Sequence, residues 1–126
     1  MLEKIQKEIL TKNYIPFLIL AGLGFVLYFQ AFFFNFSYLD DNVLILGNQS
    51  FLADINNIIW SFGADVFHLF NSSAFYYRPL LTISFIFDYQ MGGAAPFIYH
   101  FTNVILHILT TCLLFIFFNL HFNCNW

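Results

Sequence analysis

Charge is what this sequence has least of. Among its 126 residues only 9% are Asp, Glu, Lys or Arg, where a soluble globular domain carries about 25%. Such a chain is a membrane protein by composition. Its four basic residues, Lys4, Lys7, Lys12 and Arg78, form no stripe or patch that could follow a phosphate backbone, which excludes nucleic acid as a partner. Cysteine is scarce too. Cys112 and Cys124 show no CxxC spacing, so neither a disulfide framework nor a cysteine metal motif is present. Internal repeats, heptads and low-complexity tracts are also lacking.

What fills the chain instead is apolar: 60% of residues are hydrophobic, 20 of them Phe. From Asn13 to Leu39 there is no Asp, Glu, Lys, Arg or His. As a helix, residues 14–36 reach roughly 34 Å, against a hydrocarbon core of about 30 Å. After Asp88 no Asp, Glu, Lys or Arg occurs, and residues 96–120 supply a second helix-length run, with Pro96 at a favourable first-turn position. The first run is longer than the apolar stretch of a cleaved signal peptide, about 7–15 residues, and no small-x-small cleavage site follows it. The sequence therefore predicts an all-α membrane protein. Its parts are a cytoplasmic stub (residues 1–13), a transmembrane helix (14–36), an external or lumenal loop (37–95), a second transmembrane helix (96–120) and a tail (121–126). Lys4, Lys7 and Lys12 precede the first span and the loop has only Arg78, which places both termini in the cytoplasm.

The loop is too rich in Phe, Ile, Leu, Trp and Tyr to be a linker. Ser50 is placed to cap a helix through FLADINNIIWSF, with Phe51, Ile55, Ile58, Ile59 and Phe62 at helical spacing and Gly63 at its end. A second short helix reads from RPLLTISFIFDYQMGG, opened by Pro79 and ended by Gly92 and Gly93. Both are expected to lie along the membrane surface, Trp60 near the headgroups. The turn-like NSS at 71–73 separates them, and sequons occur at Asn35, Asn48 and Asn71.

Candidate chemistry begins with Asp40 and Asp41, a few residues past the first span. A carboxylate there can accept a proton from an acceptor hydroxyl, or hold a divalent cation against a phosphate leaving group. The alternative is a solvated charge at a span boundary. In the second span His100, Asn103, His107 and Thr111 recur at helical spacing on one face. They are candidates for a site, or for hydrogen bonds to neighbouring helices. His100 and His107 lack the four-residue spacing and third ligand of a zinc site. Arg78 can bind phosphate through its planar fork, or pair with a loop aspartate. Asp88 is expected to be solvated or paired with Arg78.

Taken together, YLDDNVLILGN and YYRPLLTISFIFDYQMGGAAPFIYHFTNVILHILTTCLLF resemble the N-terminal part of a GT-C membrane glycosyltransferase, of the transmembrane-and-TPR O-mannosyltransferase group. The matching elements are the acidic pair Asp40 and Asp41, the YRPL element Tyr77 to Leu80, and the HxxNxxxH pattern of His100, Asn103 and His107. The resemblance implies sugar transfer from a polyprenyl-phosphate donor to an acceptor outside the cytoplasm. It also implies an active-site role, as general base or metal-associated acid, for Asp40 and then Asp41, with Arg78 and His100 as substrate-binding candidates. Members of that group have many more spans, so the chain is expected to be a fragment, a truncated product or a small subunit. The competing reading is a non-catalytic two-span subunit or assembly factor that packs into a larger complex. Membrane lipid and further transmembrane segments or subunits are the partners expected under either. The residues carry no signal for the donor sugar or the acceptor.

Overall fold

The computed structural model describes residues 14–63, 65–67 and 76–122, all of whose regular elements are helical. The expected stub, the NSS turn with its Asn71 sequon, and the final residues 123–126 lie outside the described residues. The chain divides into two units, one from the described parts of Met1–Ala31 and Asn103–Trp126, the other Phe32–Thr102.

In the first, or span, unit, helix α1 (Ile15–Tyr28) opens with Pro16 in its first turn, where a missing N–H costs nothing. It tightens into a 3-10 segment, Phe29–Phe33. Together Ile15–Phe33 make 19 residues, about 28 Å of helix, enough for the hydrocarbon core. The last helix of the chain, Pro96–Phe122 (27 residues), enters this unit at Asn103. Where the two helices meet, Phe17 packs edge-on to Phe115 at 5.3 Å and Tyr28 to His107 at 4.8 Å. Rising numbers on α1 meet falling numbers on its partner, so the pair is antiparallel. Between those contacts Gly24 lets the helices close up, because a Cβ there would come within 2.9 Å of Ile108 Cγ1. Only 6% of each span-length window is buried. The apolar side chains point outward, as lipid or further helices require.

The loop unit has a core of its own. Helix α2 (Asp40–Leu44) runs through a 3-10 turn (Leu46–Asn48) into α3 (Gln49–Leu52), and α4 (Asn57–Ser61) follows. Helix α5 (Pro79–Gly92) packs on α3 and α4, and the first turns of α6 (Pro96–Phe122) complete the unit. Leu44, Ile45, Leu52, Val66, Ile86 and Tyr99 are buried together. Tyr99 meets Phe36 and Phe85 edge-on at 5.4 and 5.7 Å. Asp65 accepts backbone N–H bonds from Phe67 (2.6 Å) and Tyr76 (2.5 Å), which ties the chain on either side of residues 68–75.

Two expectations need correction. The helix anticipated through FLADINNIIWSF is two short helices, because Asp54 Oδ1 accepts bonds from both Asn56 N (3.0 Å) and Asn56 Nδ2 (2.9 Å) and draws the backbone out of the helix. Ser50 sits inside α3 and caps nothing. Asn48 is buried at 3% exposure, so its sequon is shielded in the folded chain. By contrast α5 runs from Pro79 to Gly92 as expected, and Gly93 follows it with a φ of 60°, a conformation glycine adopts without strain.

Candidate functional site

The loop aspartates have different environments. Asp41 is half-buried at the start of α2, and its Oδ2 accepts the Ser37 N–H at 2.8 Å, closing the turn that enters the helix. Asp54 and Asp65 are engaged by the neighbouring backbone. Asp88 was expected to be solvated or paired with Arg78, and it is neither. It is only 2% exposed, and its Oδ1 accepts a 2.5 Å bond from Thr102 Oγ1. Burial pushes its pKa above the usual carboxylate value, a rise that the Thr102 bond partly offsets. Asp40 is the exception. It is exposed, and among the described residues its carboxylate accepts no hydrogen bond. Beside it Tyr38 is 94% and Leu39 79% exposed, so the free acid stands next to a bare apolar step.

Arg78 is exposed, pairs with no carboxylate among the described residues, and lies over the Tyr76 ring at 5.6 Å. Its backbone carbonyl accepts the first bond of α5, from Thr82 N. The neighbouring Tyr77 hydroxyl donates to Phe62 O at 3.0 Å, so the YRPL element is anchored to the end of α4. On α6 His100 is half-buried. Its Nε2 is fully shielded and has no hydrogen-bond partner, a state that proteins seldom leave uncompensated. Asn103 and His107 are exposed. Thr111 donates to His107 O at 2.9 Å, which turns its hydroxyl back onto its own helix. No hydrogen bond or ion pair joins Asp40, Asp41, Arg78 and His100 to one another.

The donor set does not by itself fit a divalent cation. Among the described residues no group of three His, Cys, Asp or Glu side chains converges, and one oxygen of the acidic pair is already taken by Ser37. The residues that sequence reasoning missed are Asp88 and Thr102. A lone acid in an otherwise apolar helix, facing a hydroxyl across a Gly-Gly turn, was the available signal.

Among the described residues every regular element is helical and two helices are long and apolar enough to cross a bilayer, which defines the class: an all-α membrane protein. Its relatives narrow that class. The chain is 37% identical over 98 residues to Protein O-mannosyl-transferase tmtc2 of Xenopus laevis, a match that covers 75% of this chain and 11% of that protein. To Protein O-mannosyl-transferase TMTC2 of Homo sapiens it is 35% identical over 100 residues, 75% of this chain and 11% of the relative. To Protein O-mannosyl-transferase Tmtc1 of Drosophila melanogaster it is 35% identical over 102 residues, 76% and 11%. Over about three quarters of its own length the chain is thus homologous to proteins named as protein O-mannosyl-transferases, and it spans about 11% of the length of these curated relatives. No protein-family model and no solved structure matches it.

Proposed function

We propose that this chain supplies the acceptor-activating acid of a GT-C membrane glycosyltransferase. The reaction is transfer of a sugar, mannose by analogy with the relatives' names, from a polyprenyl phosphate to a protein hydroxyl on the non-cytoplasmic side. The observation that carries the reading is Asp40: an exposed carboxylate with no hydrogen-bond partner among the described residues, a short stretch of chain beyond a span, beside the bare side chains of Tyr38 and Leu39. At that place a lipid-linked donor and an aqueous acceptor can meet.

In the proposed step the acceptor oxygen bonds to the anomeric carbon while the bond from that carbon to the phosphate oxygen breaks. The bonding electrons leave with the phosphate, and the acceptor proton passes to the Asp40 carboxylate. Arg78, which pairs with no carboxylate among the described residues, is available to the departing phosphate, and His100 is a substrate-binding candidate whose shielded Nε2 reaches donor or acceptor only if its ring turns. Asp41 holds the entry turn rather than the substrate. No step is assigned to a metal, because the described side chains do not complete a site for one. Lys4, Lys7 and Lys12 before the first span support the orientation with the loop outside.

A second reading, a non-catalytic subunit, draws on the outward-facing spans and on exposed Asn103 and His107 in α6. Asp40→Asn in the assembled transferase separates the two readings. It keeps size and hydrogen bonding but removes the proton acceptor, so transfer falls by at least about a hundredfold. Asp54→Asn, exposed and locally bonded, is nearly silent. Transfer at the parent rate in Asp40→Asn would leave the subunit reading in place. Orientation is checked separately, with single cysteines in a background lacking Cys112 and Cys124. A membrane-impermeant thiol reagent applied to intact cells reaches Ser72→Cys and not Lys4→Cys.

A further inference from the structure

We infer that the consecutive residues Asp88, Tyr89 and Gln90 of α5 are positioning residues that hold the segment carrying Asp40 and the helix carrying His100 at a fixed spacing. The inference rests on the site proposed above. Consecutive residues on an α-helix point about 100° apart, so three in a row face separate neighbours. Asp88 receives the Thr102 hydroxyl bond from α6, two residues beyond His100. Gln90 faces the other way, its Nε2 donating to Leu52 O (3.1 Å) and Ala53 O (2.9 Å) where α3 ends. Those carbonyls are left without helical partners by the termination of α3. Between the two, the Tyr89 hydroxyl reaches Gln49 Oε1 at 3.4 Å, and Gln49 Nε2 donates in turn to Leu46 O at 3.1 Å. The connection runs without a gap from the turn after α2, through α3 and α5, to the first turns of α6.

The opposite end of the bridge is equally fixed. The Tyr99 hydroxyl donates to Gly93 O at 3.0 Å, and Gly92 lies so close to Ile98 that a Cβ would come too close to its Cγ1. These contacts prevent α6 from sliding along α5. The Asp88–Thr102 bond adds control over its rotation, because it fixes one side of α6 beside His100. Burial of hydrophobic surface would hold the helices together, but it is non-directional and sets neither slide nor rotation. The polar bridge supplies that direction.

The test uses the full chain in lipid nanodiscs, with spin labels on Ser50→Cys in α3 and Phe101→Cys in α6, in a background where Cys112 and Cys124 are Ser. The label-to-label distance distribution is read by pulsed electron paramagnetic resonance. Thr102→Val removes the hydroxyl at nearly constant shape, and Gln90→Met removes the amide donor at nearly constant length. Each is expected to broaden the distribution and shift it to longer distance. Asp88→Asn, which keeps an acceptor oxygen for Thr102, is expected to retain the parent distribution, whereas Asp88→Leu is expected to lose it. The parent distribution in both Thr102→Val and Gln90→Met would overturn the inference. Sugar transfer by the assembled enzyme is measured on the same variants and is expected to fall wherever the distribution broadens. A broadened distribution with transfer at the parent rate would overturn the role of the bridge in transfer, whereas the Asp40 site stands or falls separately with Asp40→Asn.

Discussion

The span unit and the loop unit draw on the same aromatic and aliphatic residues and arrange them in opposite ways. In the span unit the side chains face outward: Val26 and Leu27 are 71% and 74% exposed, and the helices touch at a few points around Gly24. In the loop unit Leu52 and Ile86 are 0% exposed, and four aspartates are each held by a hydrogen bond. A helix whose surroundings are lipid needs no internal core, whereas a loop rich in Phe and Ile must build one and satisfy its polar groups inside it. Asp40, the acid left out of that local bonding, is conspicuous for this reason.

The contrast is tested most directly by truncation. Leu52→Ala and Ile86→Ala should each destabilise the loop unit by about 2–5 kcal/mol, the usual cost of a large-to-small change in a packed core. Leu27→Ala should stay within about 0.5 kcal/mol, as expected for an exposed position. Hydrogen exchange of the α5 and α1 amides in detergent reads the two units separately. Equal costs in both units would mean that the span unit hides a core the contacts do not reveal.

Glycines sharpen the same comparison at smaller scale. Gly92→Ala drives a methyl group against Ile98, where Cγ1 would lie too close and Cδ1 at 3.3 Å, so the branched side chain must shift to admit it. A cost of about 1–3 kcal/mol is expected. Gly24→Ala meets only the Ile108 side chain, Cγ1 at 2.9 Å and Cδ1 at 3.6 Å, and should cost less. Gly22→Ala, with nothing within 4 Å, should cost nothing. Thermal unfolding followed by near-ultraviolet dichroism orders the three, and a Gly22→Ala loss equal to that of Gly92→Ala would break the argument.

Much of this fold was legible in the sequence. The spans follow from uncharged length, and α5 from Pro79 at one end and the Gly-Gly pair at the other. The break after Leu52 was not legible in the apolar spacing, which continues through Ile55 to Phe62. Asp54 overrides that spacing by bonding to Asn56, a local competition that periodicity does not register. Asp88 was misread for a different reason. Its environment is set by Thr102 on another helix, and the signal for that contact, a lone acid in an apolar helix followed by a Gly-Gly turn, does not by itself say which hydroxyl the acid meets. The acidic pair itself was legible, but not its division into Asp41, which closes a turn, and Asp40, which remains free.

The smallest expected effect belongs to that buried acid. Burial raises the folded-state pKa of Asp88 above its ordinary carboxylate value of 3.8, against the lowering effect of the Thr102 bond. Between 3.8 and the folded value the native chain therefore holds a proton that the unfolded chain has released. The stabilisation linked to that proton is complete below 3.8 and is lost as pH rises through the folded pKa. Asp88→Asn cannot titrate, yet it offers Thr102 the same acceptor oxygen. Its stability relative to the parent should rise across that window and level off above it, as read from denaturation midpoints of the loop unit over a pH series. The span unit holds no Asp or Glu between residues 14 and 31 or between 103 and 122, so exchange of the α1 amides should show no matching change. A difference that does not vary with pH, or one in which the parent gains on Asp88→Asn as pH rises, would mean that the carboxylate reaches solvent and that the α5–α6 junction is looser than its contacts indicate.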